Sequence, residues 1–149
     1  MSISASGLDA AIPHHPRTAL GAPGSAAIFL ARLLLCVPFI ISGIAKLIDF
    51  GGATAEVRGL SGLEPASLFA ALVILTQLGG SAAILAGGRL AWLGAAALAG
   101  FTLLATVMAH GFWNKTGVDQ ARDFNIFWEH MGLIGGLALA ALITTRTRP

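Results

Sequence analysis

Four long apolar stretches, residues 25–48, 65–86, 90–109 and 124–144, fill most of this chain, and each is about the length a helix needs to cross a bilayer core. The fold class that follows is all-α: a polytopic membrane protein, built as an antiparallel four-helix transmembrane bundle with short connections. Composition agrees, because 149 residues that are 56% hydrophobic and 11% charged carry too little polar surface to cover a soluble globule. A bundle this small has room for only a narrow interior.

Residues 1–24, with Pro13, Pro16, Pro23 and the pair His14 and His15, read as a flexible tail. The apolar run behind them starts late and is long enough to span, so the first helix is expected to stay as an uncleaved anchor. Residues 25–145 form the transmembrane domain and residues 146–149 a basic C-terminal tail. Four spans place both termini on one side, with Arg17, Arg89, Arg146 and Arg148, and Arg32 within snorkelling reach. Lys46, Arg58, Lys115 and Arg122 lie on the other side with most of the acids. Acids weigh little in the positive-inside rule, so the termini are expected to be cytoplasmic and the two longer connections, about 49–64 and 110–123, to face outward.

The formal charge of +2 is scattered over both ends and forms no nucleic-acid patch. Cys36 is the only cysteine, which excludes a dithiol relay within the chain and marks it as a small packing residue. Small residues recur at helical spacing: Gly79 and Gly87 with Ala83 on the second span, and Gly132 and Gly136 on the fourth. These are read as helix-packing positions, since close backbone approach holds helices together in lipid.

Ionisable groups within spans require an explanation, because hydrocarbon gives charge no solvation. At 100° per residue, Arg32, Cys36, Phe39, Gly43 and Lys46 share one stripe of the first helix. Gln77 lies deep in the second and is expected near the level of Arg32, within hydrogen-bonding reach. The densest polar cluster gathers at the end away from the termini, where Thr102, Thr106 and His110 finish the third helix and Asn125, Glu129 and His130 open the fourth. Lys46 ends the first helix there. Phe112, Trp113, Phe124, Phe127 and Trp128 ring this mouth, giving a candidate ligand pocket of Lys46, His110, Trp113, Glu129 and His130 under an aromatic lid.

Three readings of that mouth stay open. One is an interfacial aromatic belt with a stabilising Lys46–Glu129 ion pair. Another is a site for a quinone or similar redox ligand, its ring stacked on Trp113 or Phe127 and its oxygen bonded to His110 or His130. The last, a metal on His110, Glu129 and His130, is disfavoured because adjacent helical residues diverge by 100°, and no metal is assigned.

Several segments in order, an RLLL run from Arg32, FIISGIAKL at 39–47, Gly79-Gly80, HGFWN at 110–114 and GLIGGLALAAL at 132–142, give the chain a family likeness. It resembles the DoxX family over about residues 28–144. The resemblance implies a small four-helix protein of the bacterial inner membrane. Some relatives serve as membrane subunits of thiosulfate:quinone oxidoreductases or accompany other redox enzymes, so a quinone is the implied cofactor. Arg32, Ser42, Gly43, Lys46 and His110 match the family pattern and carry over as its polar inner surface. Two positions depart from it: Gln77 stands where relatives often have glutamate, and Glu129-His130 where they have Lys-Asn. The function expected is a quinone-adjacent accessory subunit of a membrane oxidoreductase, working as a homo-oligomer or in a heteromeric complex. The alternative is a structural or assembly subunit that packs on a larger membrane complex.

Overall fold

The computed structural model describes residues 24–146, without the side chains of 144–146. The expected tails, 1–24 and 146–149, thus lie almost wholly outside the described residues. Of the described residues 91% are helical and none lies in a strand. The elements are α1 (Ser25–Ile48), α2 (Phe50–Ser61), α3 (Ala66–Ala86), α4 (Gly88–Ala109), a single 3-10 turn (Phe112–Asn114) and α5 (Gly117–Arg146). Of these, α1, α3, α4 and α5 are long and apolar enough to cross a membrane, as hydropathy requires.

Two boundaries differ from the sequence expectation. The stretch 49–64 is no plain connection, because it folds into α2. Asp49 accepts the Gly52 N–H at 2.8 Å and caps its start, while Gly62, at φ 66°, ends it in the left-handed conformation that glycine tolerates. The fourth spanning helix also starts seven residues before the apolar run, at Gly117 instead of 124. Its 30 residues reach about 45 Å at 1.5 Å per residue, longer than a bilayer core of about 30 Å. The surplus is polar, and Arg122 pairs with Asp119 one turn back at 3.0 Å.

The spanning helices pack in the order α1, α3, α4, α5, with only a light contact closing α5 onto α1. At the terminal end they are tight. Cys36 and Phe39 of α1, Ile84 of α3, Ala95 and Leu98 of α4 and Leu137 of α5 form one buried cluster. The α3–α4 approach is backbone against backbone: a Cβ added to Gly94 would collide with the Gly80 carbonyl oxygen and lie 2.9 Å from the Ala83 Cβ. The packed glycine of α3 is therefore Gly80 and not the expected Gly79, which one 100° step turns outward. Gly87 serves as a turn residue at φ 80° between α3 and α4. Gly136 does meet α1, its added Cβ falling 3.1 Å from Leu35 Cδ1, whereas Gly132 is open on the chain's surface.

The antiparallel register of α1 and α3 is fixed by three contacts. An added Cβ on Gly43 would meet Leu78 at 2.7 Å, the Cys36 thiol donates to the Ser81 carbonyl at 3.9 Å, and Arg32 Nη1 reaches the Gly87 position. That register corrects the expected Arg32–Gln77 bond. Gln77 stands level with Ser42, ten residues or about 15 Å along α1 from Arg32.

Candidate functional site

Toward the other end the helices spread, and a cavity of about 490 Å³ opens between α1, α3, α4 and α5, with α2 across it. This replaces the expected narrow interior. The packed cluster fills only the terminal half, and the small residues that draw α3 and α4 together, Gly80 and Gly94, lie in that half. Phe69, Val73, Phe101 and Leu104 contribute apolar wall, and the polar lining includes Ser42, Lys46, Glu56, Gln77, His110 and His130.

Lys46, His110 and His130 are thus brought to one cavity, as their positions near one mouth implied, while Glu129 and Trp113 are not. Glu129 is exposed on α5, because packing His130 inward rotates its neighbour about 100° away. The expected Lys46–Glu129 pair is replaced by Lys46–Glu56, with Nζ and Oε2 at 2.8 Å. Folding of α2 back over the end of α1 supplies that acid. Only 18% of the Lys46 side chain is exposed, against 49% for Glu56, so the pair is anchored inside and reaches outward.

The aromatic lid also resolves differently. Phe112 sits edge-to-face with Trp113, Phe124 and Phe127 at 5.2–5.5 Å, and Phe127 with Trp128 at 5.5 Å, forming a cluster of its own beside the cavity. The cover over the cavity is α2. Its exit is tied to α3: Arg58 Nε donates to Glu64 Oε1 at 2.5 Å, and Glu64 Oε2 accepts the Ala66 N–H at 2.8 Å. The guanidinium first and the backbone N–H second hold the Glu64 carboxyl below its ordinary range.

Two histidines meet at the mouth with ring centroids 5.5 Å apart. Thr106 Oγ1 donates to the Thr102 carbonyl at 2.6 Å and lies 2.7 Å from His130 Nδ1. With its single proton spent on that carbonyl, the hydroxyl accepts from His130 Nδ1–H, which leaves Nε2 of the neutral ring as an acceptor. His110 Nδ1 lies 3.4 Å from Asp123 Oδ1. Asp123 is the residue that sequence reasoning missed. Its side chain is only 2% exposed, and it collects Lys115, Arg122 and His110. Lys115 also reaches the Ala109 carbonyl at 3.4 Å, so this carboxylate fastens the start of α5 to the end of α4 and orients His110. Nothing in the sequence sets Asp123 apart from Asp119, whose side chain is exposed, because only the packing of α5 buries it. Among the described residues no three metal-ligating side chains converge.

Deeper in the cavity, Gln77 Nε2 donates to Ser42 Oγ at 3.0 Å. Gln77 is 4% exposed, and its carbonyl oxygen Oε1 has no hydrogen-bond partner among the described residues. The cavity therefore carries polar groups both at the mouth and at depth.

Residues 27–111 match the family model described as DoxX. The chain is similar to the inner membrane protein YphA of Escherichia coli (strain K12), at 25% identity over 122 residues, which cover 82% of this chain and 86% of that relative. No solved structure matches it.

Proposed function

The chain belongs to the DoxX family, and from that premise we propose that it is a multi-pass inner-membrane protein whose cavity receives a lipid-soluble redox carrier of the quinone class. In this reading it serves a membrane oxidoreductase as an accessory subunit. The observation that carries the reading is the cavity itself, about 490 Å³ of mainly apolar wall with a few converging polar groups. That is the form of a small-ligand site, and its volume suits a substituted ring and the first part of a tail. Phe69 and Phe101 offer the ring apolar surface, while Ser42 and Gln77 at depth, or Lys46 and the His110–His130 pair at the mouth, offer partners to its oxygens.

The carrier would supply the electron chemistry, and the chain's own residues would hold and orient it. Lys46 and the histidines can also exchange protons with water at the mouth. Termini in the cytoplasm, the orientation that the basic residues favour, would put that mouth on the periplasmic side.

Purification in mild detergent, followed by mass spectrometry and an absorption spectrum of what copurifies, tests the reading. A quinone should accompany the wild type and be lost from a folded Lys46→Ala, His110→Ala double variant. Recovery of a partner protein alone, unchanged by those substitutions, would refute it.

One observation favours a second reading, a structural subunit of a larger complex. Gly132 and Gly135 are exposed on α5 with nothing within 4 Å of an added Cβ, so another helix could approach closely there. Gly132→Leu would then abolish association and leave ligand content unchanged.

A further inference from the structure

We propose that the cavity is entered sideways from the bilayer, through a window between α3 and α4, and that its ligand keeps an apolar tail threaded through this window into the lipid. The proposal rests on the reading of the cavity as a quinone-class site and deepens it, because it makes a long prenyl-type tail part of what the site recognises.

The argument starts from the two sides of the α3–α4 pair. Gly80 and Gly94 stand against each other, so steps of 100° from them give the side on which the other residues of both helices lie. Gln77 and Thr102 fall about 60–80° toward the core, and each is 4% exposed. Leu72 and Leu104 fall about 80° the other way, and they are 47% and 62% exposed. All four line the one cavity. A closed helix pair would keep its two sides apart, so the cavity runs between α3 and α4 and out to their exposed face. Thr76 and Met108, about 40° round on that same side, complete the frame. The opposite wall offers no such frame among the described residues: α5 contributes only half-buried His130 and Leu133, and α1 one exposed residue, Pro38.

The level of the window says what passes through it. Leu72 and Leu104 lie about 10 and 8 Å inside the ends of the apolar runs 65–86 and 90–109, so the window opens onto acyl chains and not onto water. Its frame is apolar apart from Thr76, and the flexible Met108 side chain suits an irregular chain moving past it. The cavity, at about 490 Å³, holds a ring and the first part of a tail, so the remainder of a tail of bilayer length has to lie outside. With the tail in the window, the ring sits on the core side, where the polar groups of the lining are.

The test is photolabelling of the wild-type chain in lipid nanodiscs. The probe is a dimethoxy-methyl-benzoquinone whose ten-carbon tail carries a diazirine on its third carbon, near enough to the ring to report the window and not the surrounding lipid. Mass spectrometry of the peptides should place the adducts that excess decylubiquinone suppresses on α3 and α4, at Leu72, Thr76, Leu104 or Met108. Leu72→Trp combined with Leu104→Trp fills the window from exposed positions and should cut those adducts about tenfold, whereas Leu93→Trp, exposed on α4 away from the cavity, should leave them within about twofold. The wild-type map decides the question even if the double variant folds poorly. Suppressible adducts on α1, α2 or α5 instead, or adducts undiminished in the double variant, overturn the window and leave the quinone-class site standing. Absence of any suppressible adduct overturns the site and the window with it.

Discussion

Replacing Glu56 by Gln tests whether α2 is held over the cavity by charge. The Lys46–Glu56 contact of 2.8 Å corresponds to a gross Coulomb attraction of about 6 kcal/mol at an effective dielectric near 20. Most of that attraction is offset by stripping water from the ammonium, and exposed pairs keep only about 0.2–1 kcal/mol. Here the lysine side chain is 18% exposed and the acid 49%, so the pair is half inside and its net contribution is about 1–2 kcal/mol. Glu56→Gln preserves size and the opportunity for a neutral hydrogen bond, and removes the charge. The population with α2 lifted should rise about 5- to 30-fold, since about 1.4 kcal/mol is a factor of ten. Hydrogen exchange of the α2 amides in nanodiscs reads this directly, and α3 and α4 serve as internal controls. Raising salt should produce a smaller increase of the same kind in the wild type, because Lys46 is shielded from ions. Exchange in α2 that stays at the wild-type rate would show that apolar contacts, such as that of buried Ala53, hold the helix and that the charge does not.

Leu98→Ala removes a fully buried side chain from the shared cluster and should cost about 2 kcal/mol in a denaturing-detergent titration. Leu142→Ala, on an exposed face, should stay within about 0.5 kcal/mol of wild type. Gly94→Leu should prevent α3 and α4 from closing, so the protein should fail to accumulate as a folded species, whereas Gly132→Leu should keep the monomer fold by circular dichroism. The Arg58–Glu64 tie predicts a pH dependence. Because the folded carboxyl is held below its ordinary range, the contribution of the tie is complete above the ordinary glutamate pKa. It fades as pH falls below that value and is gone once pH passes below the lowered one, so the protection factors of the α2 amides, with exchange corrected for its intrinsic pH dependence, should be flat from pH 7 to about 5 and fall only in acid. Glu64→Gln should remove that acid step.

The α1 stripe shows how far sequence periodicity reached toward the site. Cys36, Phe39 and Gly43, placed on one face by the 100° step, are the buried residues of that helix, and Lys46 continues the same face into the cavity. His110 and His130 were legible for a similar reason, since each ends or opens a span at the same level. Their neighbour Glu129 was not, because adjacent helical residues diverge and the rotation of α5 decides which of them faces inward. That rotation is set by packing of Leu133, Leu137 and Gly136 against the other helices. The cover α2 was hidden too. Gly51, Gly52 and Gly59 give its segment weak helix propensity, so its helix depends on the Asp49 cap and on docking over the bundle.

The sequence by itself determined that the chain crosses the membrane four times as helices, because hydropathy over twenty residues is a property of the segment and not of its neighbours. It also determined which end of the bundle is polar. Only the tertiary structure decided the partners: Glu56 for Lys46 in place of Glu129, Ser42 for Gln77 in place of Arg32, and Asp123 for His110. Those choices depend on the register between helices, on the rotation of each about its axis and on how a connection folds back. All three are fixed by contacts between residues remote in sequence, the Gly80–Gly94 approach for α3 and α4 among them, and local periodicity does not report which residues will meet.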